Sequence, residues 1–573
     1  MARIIGWHTV LAAMLAIAAI APGAAQAQQV AGDWHGTLSV PPGVALRIGV
    51  TITAATGGGY SGVMQSPDQT PAPIPLDSVT VDGGTLAFAV AAIHGSYAGR
   101  WDEARKAWVG EWRQGAALPL VLTAGKPDTR VIAGLDGDWT GAITPAGATI
   151  RLILHVTTDA RGTIVTLDSP DQLAYGVPLS TLARTGQTVR FSLNGSSFTG
   201  TLAADGQAID GTWSGPDYKG ALVLTRRATQ AAAPRRPQTP QPPFPYRAET
   251  VTVESAPGVR LAGTLTLPAG KGPFPAVVLI TGSGGQDRDE TILGHKPFAV
   301  IADRLTRDGI AVLRMDDRGV ALSTGDFAAA TDDDFARDVA ADVAFLRNRS
   351  DIVPARIGLI GHSEGGVVAP KVAARDPRIA FIVLLAGPGV PLSQVLAAQR
   401  ARLSPAMGQT PAQIRRDQRL IDHVMAAMRG SKDAQEAKAR AMKVIAAEGS
   451  ARIRANGQAE MMATALSSGW MRDLLDYDPR PTLAAVTCPI LALNGARDGQ
   501  VLPEQNLPAI RLATKANPDV TIVELPGLNH LFQTAKTGTV GEYNDIEETI
   551  APLALDTMAD WIGKYAKPAV TLR

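Results

Sequence analysis

Two kinds of hydrophobic periodicity divide the chain. From about residue 30 to residue 226, short alternating runs such as Leu152-Ile153-Leu154-His155-Val156 and Val189-Arg190-Phe191-Ser192-Leu193 are separated by Gly, Asp and Asn turns. A period of two buries one face of a strand, so this part predicts antiparallel β structure. From Val251 onward the runs become continuously apolar and alternate with helical patterns. Strands are predicted over Ala276–Thr281, Ile310–Arg314, Arg356–Ile360 and Phe381–Ala386, and helices over Pro297–Asp308, Asp332–Asn348 and Gly365–Ala374. This is the rhythm of βαβ units around a parallel sheet. Roughly 391–480 interrupts it with a Met-, Ala- and Arg-rich helical stretch that reads as a cap over a site, and the sheet resumes at Pro489–Leu493 and Val520–Leu525.

The β region repeats itself. Gly32-Asp33-Trp34 recurs as Gly137-Asp138-Trp139, Ser66-Pro67-Asp68-Gln69 as Ser169-Pro170-Asp171-Gln172, Gly110-Glu111-Trp112 as Gly211-Thr212-Trp213, and Leu120-Val121-Leu122-Thr123 as Leu222-Val223-Leu224-Thr225. The offsets of 105, 103, 101 and 102 residues mark a duplicated module, barrel- or sandwich-like, over 28–126 and 127–226. Gly-x-Trp at a strand start is similar to small up-and-down barrels in which the Trp plugs one end; core tryptophans without a ligand are the plainer reading. Between the second module and Val251, the stretch 226–247 holds six prolines and five arginines without apolar periodicity. Residues 227–247 therefore read as an extended Pro-rich linker, and 248–573 as an α/β domain.

Before the modules, Arg3, the apolar run Val10–Ala21 and the small-x-small site Ala25-Gln26-Ala27 predict a signal peptide over 1–27. Pro22-Gly23 ends the run short of the roughly 18 apolar residues a membrane span needs. The expectation is an exported protein, periplasmic or secreted, with no membrane span. Lys and Arg number 54 against 53 Asp and Glu, which leaves no overall field to gather nucleic acid. Cys488 is the one cysteine, so neither an intrachain disulfide nor a multi-thiolate metal site is expected.

The chemistry gathers in the α/β region. Gly361-His362-Ser363-Glu364-Gly365 fits G-x-S-x-G, with an apolar strand leading in and a helix leading out, the elbow that lifts a serine hydroxyl above a sheet. A hydroxyl needs a base, and in this arrangement the acid and then the histidine follow the serine in the chain. Downstream there are two histidines: His423 in the helical insertion and His530 in a loop past the strand Val520–Leu525. Asp498 ends the preceding strand segment. The predicted catalytic set is Ser363, Asp498 and His530, with an oxyanion hole from the backbone N–H groups of Ser283, in the glycine-rich loop Thr281–Gly285, and Glu364. Asp287, Arg288, Asp289, Glu290, Asp316, Asp317 and Arg318 crowd the neighbouring turns, either as charge pairs bracing the loop or as solvated charge. No H-E-x-x-H motif or Cys/His cluster occurs, so neither metal nor cofactor is expected.

The segments TGSGGQDRDE (281–290), RMDDRGVALSTGDF (314–327), IGHSEGG (360–366) and CPILALNGARD (488–498) resemble serine hydrolases of the α/β-hydrolase superfamily, in particular bacterial esterases of the serine aminopeptidase-like and dienelactone hydrolase-like group. The resemblance covers about 248–573 and departs at Gly319-Val320-Ala321, where relatives often carry Gly-Val-Gly. It implies the α/β-hydrolase fold, the triad and acyl transfer to water, with a small-molecule ester as substrate. Two rivals stay open: an aminopeptidase or amidase on the same triad, and a cell-envelope binding protein whose β modules hold an unknown ligand.

Overall fold

The computed structural model describes residues 30–566, apart from 41–43, 56–57, 69, 83, 91–92, 94, 115, 128–130, 160–161, 173, 180, 194, 216–217, 228–234, 328 and 455–457. The predicted signal peptide lies outside the described residues. Among them no helix is long and apolar enough to cross a membrane.

Each β module is one nine-stranded antiparallel meander in which the first strand pairs with the last, so each sheet curls into a half-barrel. Module 1 runs from Gly32–Val40 to Ala116–Ala124 and module 2 from Gly137–Ile143 to Lys219–Arg226. Alternation sends Leu152, Leu154 and Val156 inward from one strand of module 2, against Phe191, Phe198 and Trp213. In each copy the tryptophan of the Gly-Asp-Trp motif is buried, its indole N–H donating to a carbonyl four residues back, Trp34 to Val30 and Trp139 to Leu135. Module 1 is a compact unit of its own, whereas module 2 forms one unit with everything after it.

Two side chains of the stretch 227–247 are drawn out of solvent: Arg236 donates to the carbonyls of Leu293, Asn544 and Ile546, and Gln238 bonds Thr549 and Ile550. Proline spacing reports an extended backbone; it carries no signal that side chains projecting from that backbone will find carbonyls to bind.

The remaining chain builds an eight-stranded sheet in the order β1-β2-β4-β3-β5-β6-β7-β8. Its strands are β1 (Arg247–Ala256), β2 (Val259–Leu267), β3 (Phe274–Ile280), β4 (Ala311–Met315), β5 (Ile352–His362), β6 (Ile382–Leu385), β7 (Ile490–Gly495) and β8 (Val520–Leu525). From β3 onward neighbours are parallel, and β4, β6 and β7 are buried at every position, as continuous apolar runs require. Helices α1 (Pro297–Arg307), α2 (Asp332–Arg347) and α3 (Gly365–Arg375) cover the faces. The acidic run 332–334 opens α2 behind a Thr331–Asp334 capping box.

The insertion forms α4 (Leu392–Leu403), α5 (Pro411–Met428), α6 (Ala434–Glu448), α7 (Ala451–Arg454), α8 (Gln458–Ser467), α9 (Gly469–Asp476) and α10 (Pro479–Ala485); α11 (Pro503–Ala513) and α12 (Pro552–Ala566) complete the domain. The apolar stripe from Met461 to Leu475 is broken at Ser468, which caps α9. Met462, Leu466, Met471 and Leu475 pack into the cap's own core, and Trp470 and Leu474 turn towards Val367 beside the elbow.

Candidate active site

Ser363 stands where β5 meets α3. Its φ is +51°, a left-handed conformation that a non-glycine residue adopts only when its surroundings fix it. They do: the Ser363 N–H donates to Leu385 O at 2.8 Å, and the Gly366 N–H donates to Ser363 O at 2.9 Å. A side chain at Gly361 or Gly365 would place Cβ 2.0 Å from Gly365 O or 2.3 Å from Ile280 O, so the motif's two glycines are required sterically.

Asp498 and His530 meet although 32 residues separate them. His530 Nδ1 lies 2.8 Å from Asp498 Oδ2, both residues being buried. The other carboxylate oxygen accepts the N–H groups of Gln500 (2.7 Å) and Val501 (2.9 Å). With Nδ1–H committed to the aspartate, Nε2 is the imidazole's basic nitrogen. The turn after β7 is laced to the turn after β8 by Ala496 N–H to Leu525 O and Arg497 N–H to Leu528 O, both 2.8 Å.

The loop after β3 closes on the elbow, where a Cβ on Gly282 would come within 3.3 Å of Ser363 Cβ. Among the described residues, the backbone N–H groups of Ser283 and Glu364 donate to no protein acceptor. His423, by contrast, is exposed on the cap and paired with Glu448.

Two residues that the motif reading passed over tie these parts together. His362 is buried beneath the elbow with its ring 4.9 Å from that of His530, its Nε2 3.1 Å from His530 O and its Nδ1 2.9 Å from Glu290 Oε1. Burial opposes its charged form, but the Glu290 carboxylate outweighs it and raises the His362 pKa. The same Glu290 oxygen accepts the Gly282 N–H at 2.7 Å, so one buried carboxylate orients the loop, the elbow histidine and, through it, the base. Solvated charge is therefore not what the acidic turns carry. Arg288 forks onto the buried Asp316, Arg314 reaches Asp289, and Asp317 accepts from Thr281 Oγ1 and Gln286 N–H while burial pushes its pKa up to about 7.

The buried Glu364 carboxyl meets Trp470 of the cap, Ser283 of the loop after β3 and Asp332. Oε1 accepts the indole N–H of Trp470 from the cap at 2.7 Å, and burial, followed by the nearby Asp332, pushes its pKa up to about 8. Asp332 is itself raised by burial, with Lys371 Nζ 3.5 Å away. A cavity adjoins Gly282 and Glu364, lined on one part by Leu279, Met315, Phe327, Phe335 and Val368 and on another by Asp317, Arg318, Asp338 and Asp342. Among the described residues no group of His, Cys, Asp and Glu side chains is arranged to hold a metal ion.

A serine on a left-handed strand-to-helix turn, with an Asp–His pair delivered from the ends of two later parallel strands, decides the architecture. The C-terminal region has the α/β-hydrolase fold. Residues 296–534 match the family model described as serine aminopeptidase, S33. The esterase EstD of Thermotoga maritima is 35% identical over 157 residues, which is 27% of this chain and 36% of EstD. The uncharacterised protein MT2364 of Mycobacterium tuberculosis is 32% identical over 133 residues, 23% of this chain and 43% of that one. This chain thus spans less than half the length of these relatives. Among solved structures, the α/β hydrolase GrgF from Penicillium sp. sh18 aligns at 18% identity with a TM-score of 0.36, over 56% of this chain and 99% of that one. The matched stretch of the family model lies wholly within the α/β-hydrolase domain and outside both β modules.

Proposed function

We propose that this is an exported serine hydrolase that cleaves carboxylic esters through an acyl-enzyme intermediate. The observation that carries the reading is the His530–Asp498 pair, its imidazole 4.9 Å from the ring of His362, the chain neighbour of a serine held at φ +51°. His530 Nε2 takes the Ser363 proton as Oγ attacks the acyl carbon. Asp498 keeps Nδ1 protonated and stabilises the imidazolium, and the N–H groups of Ser283 and Glu364 receive the oxyanion. The proton on Nε2 then passes to the departing alkoxide; water repeats the sequence on the acyl-enzyme and frees the acid. EstD's name as an esterase supports the ester reading. So does Glu364: a carboxyl with a pKa of about 8, already accepting from Trp470, is mostly uncharged at neutral pH and a poor partner for a peptide's α-ammonium. The signal-peptide pattern of residues 1–27 supports export.

The test is a panel of chromogenic esters and aminoacyl anilides together with a fluorophosphonate probe. Ser363→Ala should abolish turnover and labelling, and Asp498→Asn should lower kcat by on the order of 10⁴, as in the best-studied triad. Labelling that persists in Ser363→Ala, or anilides hydrolysed as fast as matched esters, would overturn the assignment.

A further inference from the structure

The segment 540–551 is held from outside and reaches the Asp498–His530 pair from inside. On its outer side, Arg151 of module 2 donates to Gly541 O at 2.7 Å and pairs with Asp545 at 2.5 Å. Asp171 fixes that guanidinium through Nε (3.1 Å) and NH2 (2.8 Å) and accepts the Arg151 backbone N–H at 2.7 Å. Gly541 fits so closely on Asp171 that an added Cβ would fall 2.6 Å from its Oδ1. Eight residues further along, Gln238 accepts the N–H groups of Thr549 (2.5 Å) and Ile550 (3.0 Å) and donates to Ile550 O (2.8 Å). Arg236 bridges Asn544 O and Ile546 O with Leu293 O.

On the inner side there are two routes. Tyr543, fully buried, accepts from Gln500 Nε2 at 2.9 Å, and the Gln500 N–H is one of the two that hold Asp498 Oδ1. The second route runs through His295. Its Nε2–H donates to Tyr543 O (3.0 Å) and its Nδ1 faces the Thr549 hydroxyl (2.9 Å), a neutral ring consistent with burial lowering its pKa. Gln533 packs its amide against that ring, donates to Glu548 O, and exchanges side-chain and backbone bonds with Asn529, the neighbour of His530.

We infer that module 2 and the strap at 235–246 are positioning elements of the active site: Arg151 and Gln238 fix segment 540–551, and through it the register of His530 against Asp498. The inference rests on the triad reading, and it assigns the second β module a role in catalysis without a ligand.

The test compares the full-length protein with Arg151→Ala, Gln238→Ala and the double variant, with active sites counted by fluorophosphonate titration. His155→Gln, which weakens module 2 away from this contact, serves as the control for stability alone. Per titrated site, the double variant should lose roughly tenfold or more in kcat with KM within about twofold, because sub-ångström misplacement of a base acts on the chemical step. The acid limb of its kcat/KM profile should shift, and hydrogen exchange at 529–533 should accelerate. His155→Gln should lower Tm with kcat per site unchanged. Unchanged kcat per site and unchanged exchange in the double variant would overturn the inference, as would a loss wholly explained by fewer titratable sites. Should the double variant fail to fold, Gln238→Ala alone decides by the same readouts. Activity surviving Ser363→Ala would instead overturn the triad reading.

Discussion

The two β modules are copies that have parted in function. Both wind nine strands in the same order, and both close the Ser-Pro-Asp-Gln turn with an arginine fork, Arg47 on Asp68 and Arg151 on Asp171. Their interiors differ by conservative exchange: Tyr97 in module 1, its hydroxyl donating to Trp108 O, corresponds to Phe198 in module 2, and both stack on a phenylalanine. Their outer faces differ in charge chemistry. Where module 1 sets Thr51 against Asp33, module 2 sets His155 between Asp138 and Asp168. The Asp171 fork of module 2 additionally carries the bonds to Gly541 and Asp545. A duplicated scaffold thus keeps its core while one copy's turn becomes a support for an enzyme's histidine loop.

Truncation should break this comparison most visibly. A chain that begins at Tyr246 loses Arg151, Arg236 and Gln238 together, and kcat should fall roughly a hundredfold or more, the scale of an ångström's misplacement. Removal of module 1 alone should keep kcat within about threefold. Ester kinetics on the two chains check this, and equal activity in both would show that the shorter domain supports its own histidine loop.

Proton linkage separates the copies next. Hydrogen bonding to Asp168, with Asp138 adding, raises His155 from 6.5 to about 9. The folded protein therefore binds this proton more tightly than the unfolded chain. Its contribution is complete below pH 6.5, declines as the pH climbs, and is gone above about 9. A third of the side chain is exposed, so screening leaves on the order of 1 kcal/mol. Calorimetry should show the unit containing module 2 melting about 1 °C lower at pH 9.5 than at pH 6.5 through this group, and His155→Gln should remove that part of the shift.

The smallest effect sharpens the contrast between strain that serves the site and strain that does not. Ser363 and Ala321 both have φ near +50°, and among the described residues Ala321 takes no part in the hydrogen bonds around Asp498 and His530. Ala321→Gly should stabilise the fold by at most about 1 kcal/mol, because relief of the left-handed strain is partly offset by the freedom glycine adds to the unfolded chain. Urea denaturation measures it.

What could be read from the sequence follows from where each signal is written. The elbow is contiguous, so Ser363 and its glycines announce themselves, and the order of strands then leads to Asp498 and His530. Glu290 and His362 are 72 residues apart, and each sits among residues with plainer explanations, one in an acidic turn and one inside the motif itself. Only the fold shows that they share a buried site. Gln238 was hidden for another reason: a proline-rich stretch fixes backbone extension, and what its side chains bind depends on carbonyls more than 300 residues away.

That separation sets a schedule for the ribosome. The bonds that hold the histidine loop join residues 390 and 312 positions apart, with the later partner always within the final forty residues of the chain. Domains emerging first can fold first. The half-barrels and most of the sheet can thus be in place while His530 still lacks the support of 540–551. A nascent chain that has not yet reached residue 541 would carry its half-barrels without the bonds that steady the histidine loop, a latency set by the order of synthesis alone.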